Sequence, residues 1–409
     1  MLSTLDDIRF KLAKHGAARA SLRSLANTAL NETERRLGRS TLLSNPDIVH
    51  IEPTTACNLG CKMCGRSTFW KDLVDNSAHM QRETFLALVP FLKTARLAVL
   101  HGWGEPLLHP DLVWMVEICK DNGCMVSFHT NGLLLTDETS QELIDAGLDA
   151  LTISIDGATP ETYKAVRGAP LDVLIGNLQR LRKRKQAAGS VHPRIGFKSV
   201  LMRQNLDELP ALVALAKACG ADEIELNNLI VYNDALADQS IFDRKEEVQA
   251  AFESARDLAA QDDIRLFYGG VEEADGVPAC PFRSFTVTCD GTVGPCGAQR
   301  FAMGNIHDSS LRELWNDPNF VGMREAYGRK DLPHQCEHCP SRTNKEEDHT
   351  QPDLTYVEET LEARQWANAD SRLNLLSPSP VEVTPAAPPP CDAPDATSGC
   401  SSTPNRGCS

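Results

Sequence analysis

The 409-residue chain has no surplus of basic charge: 41 Lys and Arg stand against 56 Asp and Glu, a formal net charge of −15. A phosphate backbone needs a basic surface, so this balance excludes a nucleic-acid binder and points to a small molecule or a polypeptide as partner. Long apolar runs are also missing, and no segment qualifies as a bilayer span. The first residues, MLSTLDDIRFKLAKHG, place Asp6, Asp7, Arg9 and Lys11 where a signal peptide needs an unbroken apolar stretch. A cytoplasmic protein without membrane contact is expected. No internal repeat is present. What remains is ordinary: 42% apolar and 24% charged residues, the composition of a soluble globular protein, with room for about two domains.

Cysteine, by contrast, is plentiful, with fourteen in the chain. Reducing compartments disfavour structural disulfides, so clustered cysteines there bind metal or do redox chemistry. Cys119, Cys124 and Cys219 stand alone inside apolar patterns and read as small buried hydrophobes.

Residues 1–45 read as an amphipathic helical segment. An α/β stretch follows over 46–268. Its strand-like runs are IVHIEP (48–53), RLAVLHG (96–102), MVSFHT (125–130), ALTISID (150–156), IGFKSVL (195–201) and EIELNNLIV (223–231). Helical patterns separate them. One, LTDETSQELIDAGL, stops at Gly147; another, TPETYKAVRG, has Thr159 as N-cap and Pro160 as first helical residue. Six successive βα units imply a parallel sheet, doubly wound or closed into a barrel. In either case the chemistry gathers on loops at the carboxyl ends of the strands. Residues 269–350 form a cysteine-rich segment of short strands and turns, and 351–375 a last helix. From 376 to 409 the chain is rich in Pro, Ser and Thr and is expected to be disordered.

The first strand runs into TTACNLGCKMCGR, which spaces Cys57, Cys61 and Cys64 as C-x3-C-x2-C, with Asn58 and Gly60 to turn the backbone. Structural zinc is closed by four protein ligands, so three thiols here would need a distant fourth. A 4Fe–4S cluster accepts three thiolates and leaves one iron open for a non-protein ligand. Metal-free redox thiols are a further reading.

That triad, in the loop after the first strand of a βα barrel, resembles the radical S-adenosylmethionine (SAM) superfamily, over roughly residues 46–350. The resemblance implies a partial (β/α)6 TIM-like barrel whose open iron binds SAM. Reductive cleavage then yields a 5′-deoxyadenosyl radical that abstracts hydrogen from substrate. Other motifs agree with that family. HGWGEP resembles its Gly-Gly-Glu-Pro segment, matching at Gly104, Glu105 and Pro106, where close backbone approach to the SAM amino group is expected. TNG (130–132) ends the third strand. SIDG (154–157) ends the fourth, and the resemblance gives Ser154 and Arg167 the SAM carboxylate. Met63 matches a position that touches adenine.

The later cysteines are similar to a shortened SPASM, or twitch, domain: Cys280, Gly291 with Cys296 five residues on, and Cys336-x2-Cys339. Those four cysteines are expected to hold an auxiliary 4Fe–4S cluster, with Cys289 a spare or a substitute ligand. A zinc knuckle built on the same thiols is the alternative. The full SPASM form needs further cysteines soon after, and none occurs between 339 and 391. Cys391, Cys400 and Cys408 lie in the tail, beyond a Pro-rich stretch.

A fully ligated second cluster suits electron transfer and hence net oxidation. Expected partners are a reductant such as flavodoxin or ferredoxin and a peptide or small-molecule substrate. Sulfatase-maturing relatives carry an aspartate base where this chain has Gly297, which argues against that activity. A scaffold that carries iron–sulfur or zinc for cofactor assembly is the non-enzymatic alternative.

Overall fold

Apolar residues recur at every second position along the strands, and the sheet uses that alternation to separate two faces. The computed structural model describes residues 21–67, 75, 77–231, 234–241, 244–268, 280–296 and 302–329. Cys336, Cys339, the expected last helix and the tail with Cys391, Cys400 and Cys408 lie outside the described residues.

Among the described residues, nine strands make one sheet: β1 (Ile48–Ile51), β2 (Leu97–Leu100), β3 (Met125–Thr130), β4 (Ala150–Ser154), β5 (Arg194–Leu201), β6 (Glu223–Asn228), β7 (Arg265–Tyr268), β8 (Ser284–Val287) and β9 (Val293–Gly294). Their order is β7-β6-β5-β4-β3-β2-β1-β8-β9, and every pairing is parallel except β8 with β9. Helices between the strands cover one face, giving a partial barrel. Val49, Ile51, Ala98, Leu100, Val126, Phe128, Leu151, Ile153, Phe197 and Ile224 pack into the core on that side. The alternate positions, His50, Ser127, His129, Thr152, Ser154, Lys198 and Glu225, are half-buried on the concave face. Buried Leu97, Val99 and Met125, with Ile48, close the floor of that concavity.

The six predicted strands are all present: MVSFHT keeps its bounds, the fifth gains Arg194, and the other four are shorter at their ends. EIELNNLIV, for example, is strand only over Glu223–Asn228. β7 extends the sheet beyond the sixth unit, and β8 fills the free side of β1, pairing Ile48 with Ser284. Asp47 explains that attachment. Fully buried, its carboxylate takes Arg283 Nη2 at 2.6 Å and Arg96 Nε at 3.4 Å, and its N–H donates to Arg283 O at 2.9 Å. Burial disfavours this carboxylate, but the two guanidinium groups outweigh it and hold the pKa below the usual range.

Helix ends follow the local code. Thr159 caps Pro160–Arg167 by accepting from Thr162 N, and Gly168 ends that helix at φ 74°. Gly147, at φ 78°, follows the helix Asp137–Asp145. The amphipathic N-terminal segment is helical over Leu22–Arg36. Asn31 on that helix donates to Phe282 O at 2.6 Å. Among the described residues, no helix is long and apolar enough to cross a membrane.

Candidate active site

The cysteine loop leaves β1 at the carboxyl edge of the sheet and is pinned on three sides. Thr54 Oγ1 donates to Ala78 O at 2.7 Å and accepts Ala56 N at 2.9 Å. Arg66 Nε donates to Thr55 O at 2.6 Å, and Lys62 N to Val166 O at 3.1 Å. Asn58 Oδ1 accepts Asn131 Nδ2 at 2.8 Å, tying the loop to the TNG turn after β3. Gly60 does not adopt positive φ, and a Cβ there would meet nothing within 4 Å. The turn therefore rests on Asn58 and the backbone bonds rather than on that glycine.

Cys57 and Cys64 are half-buried and Cys61 is buried. Burial raises the Cys57 thiol above its usual range and pushes Cys61 up to about 11, against the opposing charge of Arg167. These two thiols keep their protons at neutral pH unless a metal displaces them. Among the described residues, no group of three His, Cys, Asp or Glu side chains is drawn together around a point that would hold one ion. A 4Fe–4S cluster takes each thiolate on a separate iron.

Gly104 is indispensable on steric grounds, but its neighbour is the cysteine loop. A Cβ at this position would overlap the carbonyl oxygen of Thr54 and come within 2.6 Å of that of Ala56. Glu105 N donates to Ala56 O at 2.7 Å. The close approach that the structure shows at Gly104 is backbone to backbone. The Glu105 carboxylate is buried and engaged, accepting Thr130 Oγ1 at 2.6 Å, Asn131 N at 2.7 Å and Leu107 N at 3.2 Å. Burial raises its pKa in spite of those donors. Together Gly104 and Glu105 lock the second-strand and third-strand loops against the cysteines.

Met63 is buried with Cys61, Val166, Met202, Leu229 and Leu236, an apolar wall beside the triad. Ser154 ends β4, half-buried on the concave face. Arg167 is not a solvated helix charge: its side chain is 11% exposed and its Nη2 lies 2.6 Å from Asp156 Oδ2, while Nη1 sits 3.9 Å from Cys61 Sγ. Of the five sequence-predicted residues, Met63, Gly104, Glu105 and Arg167 lie against the triad or its loop, with Arg167 in direct contact.

The second cysteine group is described in part. Cys280 opens the short helix Cys280–Arg283, and Cys296 follows β9; both are half-buried. Gly291, at φ 84°, turns β8 into β9 between them. Cys289, expected to be a spare or a substitute ligand, is buried in the main core. Arg324 anchors the Cys280 turn: buried against Trp315 and Phe320, it donates to Pro281 O at 2.7 Å and to Ser40 O at 2.9 Å.

Two features escaped the motif reading. Asp156 stood in plain view inside SIDG but was passed over for Ser154. On the concave face, His50, His101 and His129 form a row with ring centroids 5.6 and 4.2 Å apart. Burial lowers the pKa of His50 to about 4 and that of His101 to about 3, so both imidazoles are neutral at pH 7. Along their strands these histidines looked like ordinary alternation; only the register aligns them.

The radical SAM superfamily profile matches residues 51–216, and that of an iron–sulfur cluster-binding domain, SPASM, matches 279–340. A tungsten-containing aldehyde ferredoxin oxidoreductase cofactor-modifying protein of Pyrococcus furiosus is 26% identical over 300 residues, covering 68% of this chain and 82% of the relative. A PqqA peptide cyclase of Methylocella silvestris is 28% identical over 320 residues, covering 73% and 81%. Among solved structures, Streptococcus suis SuiB bound to its precursor peptide SuiA superimposes with a TM-score of 0.56 at 14% identity, over 74% of this chain and 71% of SuiB. The chain thus carries a radical SAM domain over residues 51–216 and a SPASM-type iron–sulfur domain over 279–340, with SAM and 4Fe–4S clusters as its cofactors.

Proposed function

We propose that this protein is an oxidoreductase that modifies a peptide by net two-electron oxidation. When bound, the cofactors supply one-electron cleavage of a C–S bond of SAM, to a 5′-deoxyadenosyl radical that takes a hydrogen atom from substrate, and an acceptor for the second electron. Cys57, Cys61 and Cys64 hold the cluster that binds SAM. Met63 offers an apolar surface to adenine, and Ser154 and Arg167 bind the SAM carboxylate. Gly104 and Glu105 keep the adjoining loop backbone in register with the cysteines. Cys280, Cys296, Cys336 and Cys339 hold the auxiliary cluster, and a flavodoxin or ferredoxin supplies the electron. The concave face between β1 and β6 receives the substrate, and its polar side chains suit a peptide backbone.

The single observation behind this reading is the three-thiol loop, with Cys61 buried and Cys57 and Cys64 half-buried, at the carboxyl edge of a sheet with a polar concave face. The names of the relatives that act on peptides favour a peptide over a small alcohol. Anaerobically reconstituted protein should bind about eight irons, two clusters of four, and should form 5′-deoxyadenosine on reduction with SAM. Replacing Cys57, Cys61 and Cys64 by Ala should abolish cleavage and remove about four irons. Cleavage that survives in the triple variant overturns the assignment. Incubation with a precursor peptide encoded beside the gene should shorten its mass by two hydrogens; a small alcohol oxidised instead would establish dehydrogenation.

A further inference from the structure

The charged side chains that face Cys61 form a line, Arg167 in front and Asp156 behind. Asp156, two residues beyond β4, is fully buried, and its Oδ1 accepts Val200 N at 2.7 Å. Its Oδ2 takes Arg167 Nε and Nη2, each at 2.6 Å. Val200 thus fixes the carboxylate from β5, while Asn205 Nδ2, in the 3-10 turn Arg203–Glu208, holds the Asp156 backbone by donating to its carbonyl at 3.0 Å. The remaining guanidinium nitrogen, Nη1, points to Cys61 Sγ at 3.9 Å. Helix Pro160–Arg167 ends at this same place, with Val166 O accepting Lys62 N at 3.1 Å and Arg167 O 4.0 Å from Cys61 Sγ. A carbonyl-rich helix end opposes negative charge on a neighbouring sulfur. Arg167 is the cation placed to offset it.

We propose that Arg167 and Asp156 set the reduction potential of the cluster carried by Cys57, Cys61 and Cys64. Arg167 donates to the Cys61 thiolate, and Asp156 positions that donor and attenuates its charge. The inference rests on the cluster assignment made above. Reduction adds an electron to an already anionic centre, so a cation and a hydrogen bond at one of its sulfurs favour the reduced state. The carboxylate behind the guanidinium weakens the same field. Removing Arg167 alone leaves a bare anion and makes the cluster harder to reduce. Neutralising Asp156 alone leaves a bare cation and makes it easier. Removing both charges together returns the potential toward the wild-type value.

The test is a redox titration, without SAM, of the reconstituted full chain and of Arg167→Met, Asp156→Asn and the double variant. Electron paramagnetic resonance follows the cluster whose signal changes when SAM is later added. At the wild-type midpoint, Arg167→Met should lower the ratio of reduced to oxidised cluster about tenfold, equivalent to about 59 mV for one electron. Asp156→Asn should shift it the opposite way, and the double variant should fall between them. Shifts of one sign in both single variants, or no shift in variants that retain their iron, overturn the proposal. If Arg167→Met fails to hold iron, the near-isosteric Asp156→Asn decides by its sign. Iron content unchanged in the triple cysteine variant would overturn the cluster assignment itself, a result distinct from a flat potential in a loaded cluster.

Discussion

Asn131, the first residue after β3, donates from Nδ2 to Asn58 Oδ1 at 2.8 Å, so a turn more than seventy residues away in sequence holds the cysteine loop from the side. Asn58 itself is exposed. Asn58→Ala should therefore cost at most about 1 kcal/mol of global stability, the net value of one hydrogen bond. Its effect should fall on the loop: a chelator should strip iron from the SAM cluster several-fold faster than from wild type. An unchanged stripping rate at equal stability would remove Asn58 from the support of the site.

Gly104→Ala is expected to be far more damaging than its size suggests. The new methyl group would overlap the Thr54 carbonyl, which is backbone and cannot rotate away. Overpacking of this kind costs about 1–3 kcal/mol. The loop that must shift carries Cys57, so the variant should also lose iron at that cluster, measurable beside a thermal melt. A variant with normal iron and an unchanged melting temperature would contradict the geometry.

Arg167→Ala should reduce both stability and SAM affinity. Asp156 is fully buried and would lose its ion-pair partner, a loss of about 3 kcal/mol. Adding Asp156→Asn should recover part of that stability without restoring SAM binding. Loss of a charge-assisted contact to a carboxylate should weaken SAM binding by about 1.5–3 kcal/mol, ten- to a hundredfold. Equilibrium denaturation and SAM titration separate the two effects. A dissociation constant unchanged in the folded variant would take Arg167 out of the SAM site.

His50 and His101 make stability depend on pH. Their folded pKa values, about 4 and about 3, lie below the unfolded value near 6.5. The unfolded chain therefore binds more protons than the folded one between those limits, and stability falls as pH drops from about 6.5 toward 4. The two groups together should account for about 2 kcal/mol of that loss, allowing for their partial exposure. Denaturant titrations at pH 7 and pH 5 on wild type and on His50→Asn/His101→Asn measure it. The double variant should show a shallower decline; an identical slope would mean that these imidazoles titrate normally in the fold.

The sequence alone determined the six βα units, the N-cap at Thr159, the helix stop at Gly147 and the cysteine triad, because each is a local matter. Strand alternation, helix capping and ligand spacing are all decided within a few residues. What Gly104, Glu105 and Arg167 touch was decided only by the tertiary structure. Gly104 and Glu105 had been assigned by motif position, yet the close contact at Gly104 is with the cysteine-loop backbone, and the Glu105 carboxylate is engaged by Thr130 and Asn131. The motif alone says nothing of what else Arg167 touches, and folding places it between Asp156 and Cys61. The pairing of β8 with β1 and the row His50, His101, His129 are likewise products of register. Parallel strands separated by many residues meet through backbone hydrogen bonds that carry no side-chain signature, so no local pattern could announce which residues would face one another.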